Sequence, residues 1–428
     1  MLKRLLIVLA GAVCGLALAT AVMRLRPAWS LWPNRDLARN TAYFRSVLDL
    51  VAKNCVHAQD ADYDRLTRAA LDGMVKSLDP HSDFLRADAY RELREEMNGK
   101  FGGIGVQVER RDGKVIVIAP IADTPGERAG IQRGDEIVKV DGQSLEKLGM
   151  DKIVGHLRGP PGSKVALTLY RPSKKENIAV TITREVIRVE SVRDPHLVAD
   201  GIGYIQLVQF SENSGAEMKA ALKRLQAQGA RALVLDLRNN PGGLLDAAVE
   251  VAEPFFRRGE LVVYTQGRTP DSRQELRAGS AAGNLHLPMA VLVNAGSASA
   301  AEVVTGALKD TARAVVVGER TFGKGSVQTV FRLPNAEALR LTTALYYTPS
   351  GSSIQEKGIE PQIPVVVSLE DEAKLRVQRL RRDLTEPKEF AARFGFAPIA
   401  DAPLQTAIDV LKGVELFDAR RRPADTKP

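Results

Sequence analysis

The chain has 428 residues, 44% hydrophobic and 26% charged, values that suit a globular protein of two or three domains. Its net charge of +8 comes from Lys and Arg interleaved with Asp and Glu, and Arg420-Arg421-Arg422 is the one basic run; with no basic-aromatic module beside it, nucleic acid is not an expected partner. Two cysteines, Cys14 and Cys55, and five scattered histidines without paired-ligand spacing argue against a disulfide framework and a metal site, and no cofactor is implied.

At the N-terminus, Lys3 and Arg4 precede an apolar stretch from Leu5 to Met23 that reads as an export signal within residues 1–32. Ala17-Leu18-Ala19 or Ala19-Thr20-Ala21 suits cleavage. The run is also long enough to span a bilayer if left uncut, so residues 5–23 serve equally well as an inner-membrane anchor, the one membrane contact expected. Val13 stands where lipoprotein signals carry a small residue, which argues against lipidation of Cys14. Under either outcome the rest of the chain is expected outside the cytoplasm, in the periplasm or cell envelope. A cleaved form would keep only Cys55, so no internal disulfide is expected.

Residues 36–99 read as helical, with Tyr43, Val47, Leu50 and Val51 on one face, then Leu66, Ala69, Ala70, Gly73 and Met74 on another. Asp79-Pro80-His81-Ser82 breaks the pattern as a turn, and His81 there is better read as bonding local backbone than as a site residue. Residues 100–186 carry short β-rich runs such as Val115-Ile116-Val117-Ile118 and Val165-Ala166-Leu167-Thr168-Leu169, punctuated by Gly and Pro turns and one helix candidate from Met150 to Leu157. Gly102-Gly103-Ile104-Gly105-Val106 opens this region. A Gly-x-Gly loop before a strand can point successive amides at a carboxylate, and an edge strand beside it can pair with an extended peptide. A β-barrel whose glycines only make turns is the alternative.

Residues 187–369 alternate strands and helices. Apolar runs at Ala232–Leu237, Met289–Val293 and Ala314–Val317 read as strands, with helices carrying Leu244, Leu245, Ala248 and Val249, then Val303, Val304, Ala307 and Leu308, an α/β layer pattern. Residues 370–428 turn helical and highly charged and end in a Pro-rich tail expected to be disordered.

Two segments carry chemistry. Ser299-x-x-Glu302, at a strand-to-helix turn, fits a helix capping box. Lys324, between Gly323 and Gly325 in a loop between apolar strands, is poorly explained as a surface charge. Burial among apolar groups lowers a lysine pKa and lets the neutral amine accept a serine proton, so Ser299 and Lys324 suit a nucleophile and its base, with Gln328 able to orient the amine. For a developing oxyanion, backbone amides of Gly242 or Gly243 and of Ala300 are candidates, with a plain tight turn as the alternative for the glycines. The run Gly318-x4-Gly323-Lys324 imitates a phosphate loop but lacks Ser or Thr after the Lys, and Gly103-x-Gly105 lacks the third glycine of a dinucleotide fingerprint. A peptide-binding scaffold with an inert core is the other rival; loss of Ser299 or Lys324 would have marked it, and both are present.

Gly296-Ser297-Ala298-Ser299-x-x-Glu302, the Gly-Lys-Gly at 323–325, Leu235-Asp236-Leu237-Arg238-Asn239-Asn240-Pro241-Gly242-Gly243, Leu78-Asp79-Pro80-His81-Ser82 and Tyr347-Thr348-Pro349-Ser350-Gly351 together resemble the carboxy-terminal processing (tail-specific) serine proteases, in order, over roughly residues 40–412. Gly103-Ile104-Gly105-Val106, Thr124-Pro125-Gly126, Gly134-Asp135-Glu136-Ile137 and Val140-Asp141-Gly142 resemble a PDZ domain. The resemblance implies a mixed α/β multidomain protein: a crotonase-like α/β protease core, an inserted β-rich PDZ domain, and flanking N- and C-terminal helical segments. It implies Ser299 as nucleophile, Lys324 as base, Gln328 as supporting polar residue, Glu302 as structural support and Gly103–Val106 as the carboxylate loop. Protein substrates with apolar C-termini, an adaptor protein and a homodimer are the partners it implies. Pro125-Gly126 replaces the usual Pro-Ala pair, a change expected to lie away from the groove. Ala301 replaces Ser, Ser352 replaces Arg and Glu356 replaces Gly, the last two expected to alter a local loop without touching the catalytic pair. Arg158, after the groove helix, reads either as a helix C-terminal cation or as a coupler of tail docking to the catalytic domain.

Overall fold

The computed structural model describes residues 34–421, apart from 112, 122, 147, 280–282, 284, 383 and 385. The export segment, Cys14, Arg422 and the Pro-rich tail lie outside the described residues. Among the described residues no helix is long and apolar enough to cross a membrane. Chain contacts divide the protein into two units, Met1–Phe84 and Leu85–Pro428.

In the first unit the helix Arg35–Asn54 begins where the Asn34 side chain accepts the amides of Asp36 and Leu37, relieving two of the free donors at a helix start. The second helix, Tyr63–Lys76, is capped in the same way by Asp62, and Tyr63 Oη donates to Asp49 at 2.7 Å to tie the two helices together. The apolar face Tyr43, Val47, Leu50 and Val51 is exposed. The turn at 79–82 is organised by the Asp79 carboxylate, which accepts from the amides of His81 and Ser82 and from the Ser82 hydroxyl.

The second unit is mixed α/β. Its β-rich module is an antiparallel sheet with strands in the order Val106–Arg111, Lys114–Pro120, Glu136–Val140, Lys164–Arg171 and Glu176–Thr183. Along Lys164–Arg171 burial alternates, so Val165, Leu167 and Leu169 enter the module core and Arg171 points inward with them. A buried guanidinium needs a partner, and Asp135 supplies a bidentate one at 2.8 and 2.7 Å. The strands that lead into and out of the module, Lys100–Gly103 and Glu185–Arg188, pair with each other as an antiparallel ribbon.

The rest of the unit is built on a sheet ordered Val192–Ala199, Ile202–Leu207, Ala232–Asp236, Met289–Val293, Val315–Gly318 and Ile363–Pro364, parallel except at its first pairing. Helices cover both faces, which explains why the central strands read as unbroken apolar runs. Leu233, Leu235, Val291 and Val293 pack toward the helices Ser214–Ala227, Leu245–Ala252 and Ala300–Asp310. Ala232, Val234, Ala290 and Leu292 pack toward Ala407, Ile408 and Leu411 of the C-terminal helix Ala402–Arg421. A second, antiparallel layer pairs Ser326–Arg332 with Ala338–Tyr347, and the latter with Leu261–Gly267.

Candidate active site

The strand Met289–Val293 ends in a polar clamp. Asn294 Oδ1 accepts from the amides of Asn239 and Gly296 at 2.9 and 3.0 Å, while Ser297 Oγ donates to the Leu237 carbonyl at 2.8 Å. The loop after one central strand is thereby locked to the turn after its neighbour. Ser299 follows at φ +55°, ψ −117°, a conformation that costs a non-glycine residue roughly 1–3 kcal/mol, and the helix Ala300–Asp310 starts at the next residue. The result is a strained strand-to-helix elbow with Ser299 at its apex. Gly242 stands against it at φ +98°: a Cβ there would lie 2.8 Å from Ser299 Cβ and 2.9 Å from Ala300 N, so only glycine fits.

Glu302 links Ser299 to the loop that carries Lys324. Its fully buried carboxylate accepts from the Ser299 amide at 2.9 Å and the Lys324 amide at 2.8 Å through Oε2. Through Oε1 it accepts from the Gly323 amide at 2.7 Å and the Thr321 hydroxyl at 2.5 Å. Four donors fill the acceptor capacity of one carboxylate. The capping residue read from the sequence thus also fixes the loop that carries Lys324.

Ser299 and Lys324 line one cavity of about 380 Å³, walled by Met97, Phe210, Leu244, Val327 and Tyr346. No direct hydrogen bond joins their side chains among the described residues. Burial and then the nearby Arg340 guanidinium lower the Lys324 pKa from its ordinary 10.5, with Glu96 opposing them. Glu96 belongs to the helix Ala87–Met97 and lines the same cavity. Gln328, on the wall, donates to Thr342 Oγ1 at 2.8 Å and Ser326 Oγ at 3.2 Å, and its buried Oε1 has no partner among the described residues. Among the backbone amides, Gly242 N–H donates to Asn240 Oδ1 at 2.9 Å, whereas those of Gly243 and Ala300 make no hydrogen bond among the described residues.

In the β-rich module, Ile104 is buried and Gly105 sits at φ +73° against Thr124, whose hydroxyl donates to the Gly105 carbonyl at 3.0 Å. The following strand, Val106–Arg111, is at the sheet edge, pairing among the described residues only with Lys114–Pro120. Gly126 does not stand away from this loop as expected. Its amide donates to the Ile104 carbonyl at 2.6 Å, and a Cβ there would fall 2.7 Å from that oxygen and from Val106 Cγ1, which leaves no room for the usual alanine without a shift. Arg158, at the end of the helix Met150–Leu157, lies over the Phe101 ring at 4.2 Å, so it touches the ribbon that leads into the module. Glu356 shapes a local loop, as expected: at φ +62° it donates its amide to the Gly323 carbonyl at 2.8 Å, with no hydrogen bond to Ser299 or Lys324 among the described residues.

Sequence reading missed Asn240, Asn294, Ser297, Thr321, Glu96 and Arg340. The first three had a legible signal, being short polar side chains where apolar strands end. Thr321 stands in the same loop as Lys324, and Glu96 and Arg340 reach the site from other elements.

The family model for peptidase family S41 matches residues 201–365, and the PDZ domain model matches 116–171, a span that begins after the Gly103–Val106 loop. The chain is 36% identical over 418 residues to a carboxy-terminal-processing protease of Bartonella bacilliformis, covering 94% of this chain and 95% of that one. It is 36% identical over 318 residues to the carboxy-terminal processing protease CtpA of Bacillus subtilis, covering 74% of this chain and 67% of that protein. A Bacteroides fragilis structure assigned to the S41 proteases shares the fold at 18% identity and a TM-score of 0.50, covering 86% of this chain and 97% of that one. With nearly the whole length of the Bartonella bacilliformis relative matched, the chain belongs to peptidase family S41, as a serine-type carboxy-terminal-processing protease with a PDZ domain.

Proposed function

We propose that the chain is an exported endopeptidase that docks the C-terminal tail of a protein on its PDZ domain and cleaves nearby with a Ser299–Lys324 dyad. The observation that carries this reading is the buried Glu302 carboxylate, which holds the Ser299 and Lys324 amides on one oxygen while both side chains line one cavity. Neutral Lys324 takes the Ser299 proton as Oγ bonds to the scissile carbonyl carbon. The amides of Gly243 and Ala300 receive the oxyanion, and Gly242 keeps the space beside the nucleophile open. The lysine ammonium, held by Gln328 Oε1, then protonates the leaving amine as the peptide C–N bond breaks. Water, deprotonated by the same lysine, hydrolyses the acyl-serine. Apolar walls suit an uncharged side chain next to the bond that breaks.

The Gly103–Val106 loop takes the tail carboxylate, and the open edge of Val106–Arg111 adds the tail as a strand. The working parts are a helical region at 36–99, the PDZ domain at 100–186, a crotonase-like core at 187–369 and a helical region from 370 to the end. Export by residues 1–32 delivers the protein to the periplasm or envelope, cleaved or anchored through 5–23. Exposed apolar residues on Arg35–Asn54 and, in the C-terminal helix, Leu416 and Phe417 suit a homodimer, and an adaptor can deliver substrates.

The test is cleavage of an unfolded reporter with a free apolar C-terminus against the same reporter amidated, with Ser299→Ala and Lys324→Ala alongside. The expected outcome is loss of cleavage in both variants and slower cleavage of the amidated reporter. Cleavage surviving Ser299→Ala would remove the dyad; indifference to amidation would remove tail docking and leave the protease.

A further inference from the structure

We propose that the C-terminal segment, through Asp401 and Glu372, positions the turn that lies against the nucleophile, making these two carboxylates positioning residues for the reaction. The proposal rests on the site reading above, in which the Asn239–Gly243 turn helps to receive the oxyanion.

The turn leaves the strand Ala232–Asp236 through Arg238, which is buried. One edge of its guanidinium is taken by Asp236, with Nε–Oδ1 at 3.0 Å and Nη2–Oδ2 at 2.7 Å. Asp236 is itself fully buried and accepts from Tyr204 Oη at 2.7 Å. Burial alone would push its carboxyl up, but Arg238 beside it holds it below its ordinary value. The other edge is taken by Asp401, at 2.7 Å from Nη1 and 2.9 Å from Nη2, across 163 residues of sequence. Two bidentate contacts fix a planar guanidinium in position and orientation, which a single point contact cannot do.

Asp401 is held in turn. It precedes the helix Ala402–Arg421, accepting the Leu404 amide on Oδ1 at 3.2 Å, and that helix is packed on the sheet through Ala407, Ile408 and Leu411. Glu372, on the helix Leu369–Leu380, accepts from Asn239 Nδ2 at 2.6 Å and from Arg379 Nη2 at 2.6 Å. Arg379 Nη1 lies 3.7 Å from Asp401 Oδ2 and closes the ring between the two anchors. Asn239 is at φ +57°, a left-handed conformation that Asn tolerates better than most side chains. From there the connection to the site is short. Asn240 accepts the Ala298 amide on its carbonyl at 2.9 Å, and Gly242 abuts Ser299.

A buried ionic ring contributes little net stability compared with apolar packing of the same volume. Its place, on the two residues that begin the oxyanion turn, gives it a use that stability alone does not. Freed of Asp401 and Glu372, Arg238 and Asn239 lose the side-chain contacts that hold the start of the turn, leaving, among the described residues, only the bonds of Asn240 and Phe210 to place Gly242 and Gly243. A misplacement of about 1 Å at a reacting centre costs on the order of 10²-fold in rate.

The experiment compares the full chain with Asp401→Asn, Asp401→Glu and Glu372→Gln. It measures kcat and KM on the reporter, the pH profile of kcat/KM, and hydrogen exchange across the chain. For Asp401→Asn the expected result is a kcat lowered toward that 10²-fold limit, with KM and the pH profile unchanged because Lys324 is untouched. Asp401→Glu should restore part of the loss, and faster exchange should be confined to residues 237–245. A kcat within about twofold of the parent in folded Asp401→Asn and Glu372→Gln would overturn the proposal, as would a loss of kcat accompanied by faster exchange throughout the core. If Asp401→Asn does not fold, Glu372→Gln decides by the same criteria. Ser299→Ala runs beside them: cleavage there would remove the nucleophile reading, while the exchange at 237–245 would still judge the latch.

Discussion

The PDZ domain and the protease core bury charge in different ways. In the PDZ domain Asp135, just before the strand Glu136–Val140, and Arg171, at the end of the neighbouring strand Lys164–Arg171, pair bidentately. In the core, Glu302 serves three backbone amides and a hydroxyl from two loops, and Arg238 reaches across 163 residues to Asp401. The first arrangement closes a core; the second fixes the relative position of the loops on which the proposed dyad stands. Damage to the first should therefore be felt as stability, and damage to the second as rate.

Glu302→Gln would break this contrast most visibly. Glutamine offers one acceptor oxygen and turns an NH2 group toward backbone donors, each orphaned donor costing about 1–3 kcal/mol. Because those donors belong to Ser299, Gly323 and Lys324, kcat/KM should fall on the order of 10²–10³-fold in whatever fraction remains folded, as read by active-site titration and steady-state kinetics. Normal turnover per folded molecule would show that the carboxylate only caps a helix.

Arg171→Met tests the other side. It leaves Asp135 buried and uncompensated, which costs about 3–5 kcal/mol. An early unfolding transition and loss of preference for the free tail are expected, with cleavage of the amidated reporter retained. Equal loss of both activities would show that the core depends on a folded PDZ domain.

Lys324→Met should have the smallest effect on the fold while abolishing turnover. The folded-state pKa of Lys324 lies below 10.5, so between those two values the unfolded chain holds more protons on this group. Its contribution to stability therefore rises with pH across that window and is least favourable below the folded pKa, where burying an ammonium is resisted. Methionine should raise the unfolding midpoint slightly at low pH and lose that advantage as pH rises. In the parent, kcat/KM should climb with pH as the ammonium gives up its proton. An unfolding midpoint lowered at every pH would mean that the amine makes contacts the fold needs.

What the sequence made legible follows from how far each signal reaches. The apolar runs from Ala232 and Met289 are the central strands, since a strand covered on both faces has a local signature. Ser299 and Glu302 were legible as a pair because a capping box spans four residues. The bonds from Glu302 to the loop at 321–324 were not, because nothing in either segment announces which turn of chain will lie beside it. Asp401 reads locally as a helix cap, and its partner Arg238 as a charge after a strand; only the packed sheet brings them together. Gly126 misled for the same reason: it was judged by distance along a motif, and it lies against the Gly103–Val106 loop in space.

The ribbon at the root of the PDZ domain has a consequence for how such a chain comes to exist. Where the strands Lys100–Gly103 and Glu185–Arg188 meet the core, the Val189 amide bonds the Gly99 carbonyl at 2.9 Å, so the two ends of the insert are neighbours. To the core, some ninety residues amount to one loop whose feet already touch, and loop closure grows only slowly with length. A module attached at a single root can be exchanged or trimmed to a hairpin while the helix Ala87–Met97 before it and the strand Val192–Ala199 after it keep their places.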